Sequence, residues 1–378
     1  MQPISLYIHF PWCIKKCPYC DFNSHAVKGS FPENQYISAL LRDLQNDIEH
    51  FLLDRPVQSI FLGGGTPSLF SPKALERLFI GIRQRIPVKS NAEITLEANP
   101  GTFESQKFAE YREIGINRLS IGIQSFNDKF LQKLGRVHSA EEALRAGEIA
   151  HQAGFDNFNL DLMFGLPGSS ASDSEYDIKT AISIEPKHLS FYQLTLEPNT
   201  YFYKHPPKLP ADDRIFKFQQ NGQKYLQKAG YDQYEISAFA KDNFQCRHNL
   251  NYWQFGDYLG IGAGAHGKIT LSRPEQIIRT NKPKHPEQYL KDPEKGAHRN
   301  VLVAELALEF MMNHLRLKTG FSIDDFITTT GLPFSNIEAK LGKLIQQDLI
   351  IKKAQYYQCS ERGWNFLDDI LEYFVLDN

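Results

Sequence analysis

The chain has 378 residues, 42% of them hydrophobic, and a formal net charge of −2. That length suits one large domain and a smaller one, and the absence of any low-complexity tract implies that nearly all of it folds. The near-neutral balance offers no basic footprint for nucleic acid or an anionic membrane, and no apolar run reaches a transmembrane span, so a soluble cytoplasmic protein is expected.

Residues 6–10 read as a strand, and the loop that follows carries Cys13-Ile14-Lys15-Lys16-Cys17-Pro18-Tyr19-Cys20. Three of the five cysteines thus fall within eight residues, in a loop stiffened by Pro11 and Pro18. Thiolates at this spacing can converge on one soft inorganic centre, either an iron–sulfur cluster or zinc. Three ligands on a four-iron cluster leave one iron open to a ligand. A structural zinc is the alternative, with Cys246, His248 or His25 as fourth ligand. An odd cysteine count and the lack of a signal peptide argue against a disulfide.

Next comes an amphipathic helical pattern at 33–53. Apolar runs at 59–62, 93–97, 118–123, 157–163 and 189–196 then alternate with helical patterns at 72–85, 105–114, 140–153 and 173–184. Six βα repeats predict a parallel sheet wrapped by helices; an incomplete (β/α)6 barrel is preferred over a flat doubly wound sheet. Unusual residues gather at the strand ends. Gly63-Gly64-Gly65-Thr66-Pro67 follows the second strand, Glu97-Ala98-Asn99-Pro100 ends the third and Gln124-Ser125 the fourth; Asp161 is late in the fifth, and Thr195-Leu196-Glu197 closes the sixth. In barrel enzymes the carboxyl ends of strands build the site, so these residues should meet at one rim. Each also has a plainer reading: the glycines as a tight turn, Glu97 as a strand-end cap, Asp161 as an ion-pair partner.

The proline- and lysine-rich stretch 267–299 predicts a boundary, giving a core at 1–240, a linking segment at 241–298 and a C-terminal domain at 299–378. Helical patterns at 301–312, 323–329 and 335–347 precede a strand pair at 349–351 and 356–359 and a final helix at 361–373. Helices followed by a β-ribbon suggest a winged-helix-like module. Residues 301–378 hold 7 Lys and Arg against 11 Asp and Glu, a balance of −4. That disfavours DNA phosphate contacts and points to a cap or partner-docking role.

The cysteine spacing resembles the signature of the radical S-adenosylmethionine (SAM) superfamily, whose open iron chelates SAM and whose [4Fe-4S] cluster reduces it to a radical. The segments at Tyr7–Cys13, Gly63–Pro67, Arg118–Ser125, Asp161–Pro167 and Gly260–His266 resemble the motif series of the anaerobic coproporphyrinogen III oxidase (HemN) group over most of the chain. That resemblance implies a radical SAM (β/α)6 barrel with a HemN-type C-terminal domain. It also implies SAM contacts by Tyr7, Tyr19, Gly64, Gly65, Thr66, Glu97, Gln124, Arg136 and Asp161, and cluster ligation by Cys13, Cys17 and Cys20.

Two features separate this chain from the oxidases. Phe22 stands where they carry a further cysteine, and no room exists before the first strand for their amino-terminal extension. His248-Asn249-Leu250-Asn251-Tyr252-Trp253, in contrast, resembles the HNxxYW motif of the HemW heme chaperones. That resemblance implies heme binding and transfer to heme-accepting proteins, membrane-associated ones included, without coproporphyrinogen oxidase activity; a homodimer stays open. A porphyrin-converting radical SAM enzyme is the alternative. His248 suits heme iron as a neutral imidazole, Cys246 is a second ligand candidate, and Tyr252 and Trp253 could pack on the porphyrin. The opposing reading has His248 hydrogen-bonded within a loop while the two aromatics plug the seam between domains.

Overall fold

Seven strands with apolar outer faces organise the molecule: β1 (Ile4–Phe10), β2 (Val57–Gly64), β3 (Val88–Ala98), β4 (Arg118–Gln124), β5 (Phe158–Phe164), β6 (His188–Gln193) and β7 (Tyr258–Ile261). The computed structural model describes residues 4–27, 29–101, 106–271 and 276–375. All seven are parallel, in spatial order β7-β1-β2-β3-β4-β5-β6. The first six are the predicted (β/α)6 strands; β7, pairing with the outer edge of β1, was not foreseen.

The pleat explains how one set of strands serves both stability and chemistry. Ile4, Leu6, Ile8 and Phe10 of β1 join Ile60, Leu62, Ile94, Leu96, Leu119 and Ile121 in the main apolar core under the helices. The alternate positions are polar and line up by register. Ser5 pairs with Ser59 and Ser59 with Glu93; Glu97 pairs with Ser120, Ser120 with Asn159, Gly122 with Asp161, and Asn159 with His188. Because successive side chains of a strand point to opposite faces, these residues share the inner face.

The helices follow from local signals. Ser139 and Ser170 form capping boxes with Glu142 and Asp173 at the starts of the helices Ala140–Gln152 and Ala171–Ser183. Pro72 opens the helix Pro72–Arg83 behind the N-cap Ser71, at the position where its missing N–H costs nothing. Of the helix expected at 105–114, Ser105 lies outside the described residues, and Phe108–Glu113 is helical.

The stretch expected as a linking segment is ordered structure continuous with the core. His266–Thr270, Ile277–Asn281 and Ala297–Asn300 extend the sheet antiparallel beyond β7. Lys282 pins this extension to the helix Glu33–His50, with Nζ 2.5 Å from Asp43 and 2.7 Å from Asp47, all three buried. Removing that lysine would strand two buried carboxylates, at a cost of about 3–5 kcal/mol.

Beyond residue 300 a second apolar core forms around Leu306, Phe310, Phe326, Leu341 and Tyr357. Three helices there (Val303–His314, Ile323–Thr330, Ser335–Gln346) accompany a three-stranded ribbon, as the winged-helix-like reading expects. The final helix is two short ones, Glu361–Asn365 and Leu367–Glu372, because Phe366 leaves helical geometry at φ −125° and ψ 39°.

Candidate functional site

The cysteine loop leaves β1 at Pro11 and is closed by short backbone bonds. His25 N donates to Pro11 O at 2.7 Å, Val27 N to Cys13 O at 2.9 Å and Cys20 N to Cys17 O at 3.1 Å. Trp12 anchors it, stacked on Phe31 and edge-on to Tyr36. The three thiols face a single cavity of about 280 Å³ at the carboxyl ends of the strands. Burial pushes the Cys13 and Cys20 thiols up, a shift that the positive charge of a metal centre would oppose.

The glycine segment reaches the same cavity, and its composition has a steric cause. Gly65 N donates to Phe10 O at 2.6 Å and Thr66 N to Trp12 O at 2.7 Å, stitching this loop to the cysteine loop. A Cβ on Gly65 would collide with the carbonyls of Phe10 and Trp12, and Gly64 sits at φ +110° against the His9 ring. Glycine is therefore required by loop crossing as well as by close approach of a ligand.

Glu97 accepts from Gly64 N at 3.0 Å. Burial, opposed by that hydrogen bond and reinforced by Asp161, pushes its carboxyl up to about 7. Asp161 is raised too, first by burial, against hydrogen bonds from Asn159, Ser190 and Ser120 and the charge of Arg118. Arg136 is held by Asn99 Oδ1 at 2.6 Å and Gly122 O at 2.9 Å, with Nη1 3.6 Å from Cys17 Sγ. Gln124, left-handed at φ 63° where β4 bulges, carries a buried Oε1 without a hydrogen-bond partner among the described residues.

Tyr19, Gly64, Gly65, Thr66, Glu97, Gln124, Arg136 and Asp161 all line the cysteine cavity; Tyr7 does not. Tyr7 lies beneath it, its hydroxyl 3.0 Å from His9 Nδ1. Reading the strand ends did not single out Ser120, Met163 and Tyr192, which also line the cavity. Their signal was available: each occupies an inward position of its strand. Phe22, in place of a further cysteine, is exposed at the cavity mouth.

The second group of candidates lies elsewhere. Cys246 N-caps the helix Arg247–Trp253, which is held against the inner face near the amino ends of β2 and β3. His248 is only 7% exposed; its N–H donates to Glu93 at 3.0 Å and its Nδ1 is 3.1 Å from Ser59 Oγ. Burial, with Arg118 nearby, pushes its imidazole down to about 3. Cys246 Sγ points to Glu93 at 3.5 Å, and burial raises this thiol to about 12. Neither residue lines the cysteine cavity, so the structure does not bring them together with Cys13, Cys17 and Cys20. Trp253 lies in the seam with the C-terminal domain, under the Arg316 guanidinium at 4.3 Å, while Tyr252 packs on Trp253 and Tyr258.

The donor set at the rim fits an iron–sulfur centre with an organic ligand beside it: three thiols on one wall, an orphaned amide oxygen at Gln124 and two raised carboxylates opposite. Residues 7–181 match the radical SAM superfamily and 303–366 the HemN C-terminal domain. The chain is 48% identical over 378 residues to the heme chaperone HemW of Escherichia coli, covering 100% of this chain and 99% of that one. It is 49% identical over 380 residues to the HemW of Haemophilus influenzae, again over 100% and 99%. The coproporphyrinogen III oxidase HemN of Escherichia coli superimposes with a TM-score of 0.82 at 22% identity, over 98% of this chain and 90% of that one, and so shares the fold. The chain belongs to the HemW heme chaperone family of radical SAM proteins.

Proposed function

We propose that this protein is a heme chaperone: it binds heme, carries a [4Fe-4S] cluster with SAM at the barrel rim, and passes heme to acceptor proteins. The observation that carries the reading is full-length similarity to HemW chaperones, together with a rim cavity lined by every cluster cysteine. Cys13, Cys17 and Cys20 would hold the cluster, and Gly64, Gly65, Thr66, Glu97, Gln124, Arg136 and Asp161 would hold SAM. When bound, the cluster supplies single-electron reduction. The chain's own residues bind and orient: Glu97 would accept from cationic donors, Arg136 keeps Asn99 and Cys17 in place, and Tyr7 holds the His9 ring behind Gly64.

For heme, the rim is favoured over the HNxxYW helix. His248 is buried against Phe61 and Tyr7 and Cys246 against Glu93, and ligation by either would require that helix to leave the barrel. The test is anaerobic reconstitution with iron and sulfide, then hemin titration and incubation with SAM and coproporphyrinogen III. Stoichiometric heme with a defined Soret band and no protoporphyrinogen is expected. Absence of heme binding, or decarboxylation at an enzymatic rate, overturns the reading; the second result installs the oxidase activity in its place.

A further inference from the structure

A second cavity, of about 560 Å³, opens beside the first at the start of the helix Ala171–Ser183, and no known ligand accounts for it. Three cations line it, Lys133, Lys208 and Arg214; among the described residues no carboxylate lines it, and the nearby Asp173 is bonded to Ser170 of its wall. All three are exposed, and none forms an ion pair among the described residues. Lys133 Nζ is directed by a 2.7 Å bond to Pro167 O.

Two further observations point to an anion. The cavity lies at the N-terminus of a 13-residue helix, where the backbone dipole favours negative charge, of which the Asp173 carboxylate in the capping box supplies one part. Ser169, only 7% exposed, lines the cavity, and its buried hydroxyl has no hydrogen-bond partner among the described residues. A buried hydroxyl left unpaired carries a desolvation cost that a ligand oxygen would remove.

The other wall is apolar, built by Phe202 and Leu209. These residues pack in one cluster with Met163 and Leu194, which line the cysteine cavity. Phe202 N also donates to Pro18 O at 2.9 Å, tying this wall to the cysteine loop. One apolar cluster, buried at Met163, Leu194 and Phe202 and half-buried at Leu209, thus contributes to the walls of both cavities. That pattern matches a flat apolar macrocycle bearing carboxylate arms.

We infer that this pocket binds the propionate carboxylates of heme, with Lys133, Lys208, Arg214 and Ser169 as the recognition set. The inference rests on the chaperone reading above. Its test is Soret titration of the reconstituted protein with hemin and with hemin dimethyl ester, comparing wild type, Lys208→Ala/Arg214→Ala and Ser169→Ala. The double variant should bind hemin roughly tenfold more weakly, as loss of charge-assisted bonds predicts, and the ester as wild type does. Ser169→Ala should move hemin affinity in the same direction and by less. Equal hemin affinity in wild type and double variant overturns this inference and leaves the chaperone reading standing, as does parallel loss of hemin and ester. Failure of the wild type to bind hemin overturns both. A phosphatidylglycerol vesicle arm separates the other source of anionic oxygen: vesicle binding lost in the double variant with hemin affinity intact reassigns the pocket to phosphate.

Discussion

Glu97 offers a test in which fold stability and ligand binding move in opposite directions. Its carboxyl is raised to about 7, first by burial, so the folded apo protein holds a proton that the unfolded chain releases near pH 4.5. For a raised acid the linkage sign is fixed: stability is lost as pH climbs from the unfolded value through about 7. The full shift corresponds to an upper bound of about 3 kcal/mol above pH 7, and water in the open cavity lowers it. Glu97→Gln removes the titration while keeping an acceptor for Gly64 N. The apo variant should therefore melt higher than wild type at pH 8 and equally at pH 5. A cationic ligand needs the ionised carboxylate, so wild-type SAM affinity should weaken roughly tenfold from pH 8 to pH 6, the factor set by protonating a group with this pKa. In Glu97→Gln the affinity should be lower at pH 8 by about tenfold or more, as loss of a charge-assisted hydrogen bond predicts, with the Glu97-linked pH dependence gone. Anaerobic calorimetry measures the binding and circular dichroism the melting. If the variant binds SAM as wild type does, with the same pH profile, Glu97 is not a ligand group.

Two other substitutions separate the rim from the closed end of the barrel. Cys17→Ser should abolish the brown absorbance and the reduced-state EPR signal after reconstitution, whereas Cys246→Ser and Cys359→Ser should keep both; stoichiometric zinc in the reconstituted wild type would sink the cluster assignment. His248→Ala should lower the melting temperature, by an amount equivalent to about 2–4 kcal/mol for a buried ring with a lost hydrogen bond, and leave hemin affinity unchanged. A shifted Soret band with an unchanged melting temperature would return heme ligation to His248.

What could be read from the sequence was what lies close along the chain. The βα alternation, the cysteine spacing and the strand-end residues are local signals, and a parallel barrel turns strand ends into a shared rim without further information. The inner face was legible in principle, since Ser5, Tyr7 and His9 alternate with Ile4, Leu6, Ile8 and Phe10. It was masked because strands covered on both sides read as continuous apolar runs. The 267–299 stretch misled because its prolines and lysines punctuate edge strands, and the antiparallel partners that order Ile277–Asn281 flank it on both sides.

The placement of the HNxxYW helix was beyond local reading for a different reason. Glu93 and His248 are 155 residues apart, and each alone looks like a surface or site residue. Only their meeting shows that Glu93 accepts from Cys246, Arg247 and His248 at once, with the buried Arg118 close by. Arg118 also faces Asp161, which lines the cysteine cavity, and Asp161 is bonded through Asn159 to His188 and on to Tyr234, whose hydroxyl receives Cys246 N. The helix is thereby joined to the rim cavity by buried polar groups, while Trp253 and Arg316 join it to the C-terminal domain. Arg118 is the shared partner, since the charges of both Asp161 and Glu93 act on it and buried charges are poorly screened. The HNxxYW helix therefore lies between the rim cavity and the second domain, in contact with polar groups that lead to the one and with Arg316 of the other.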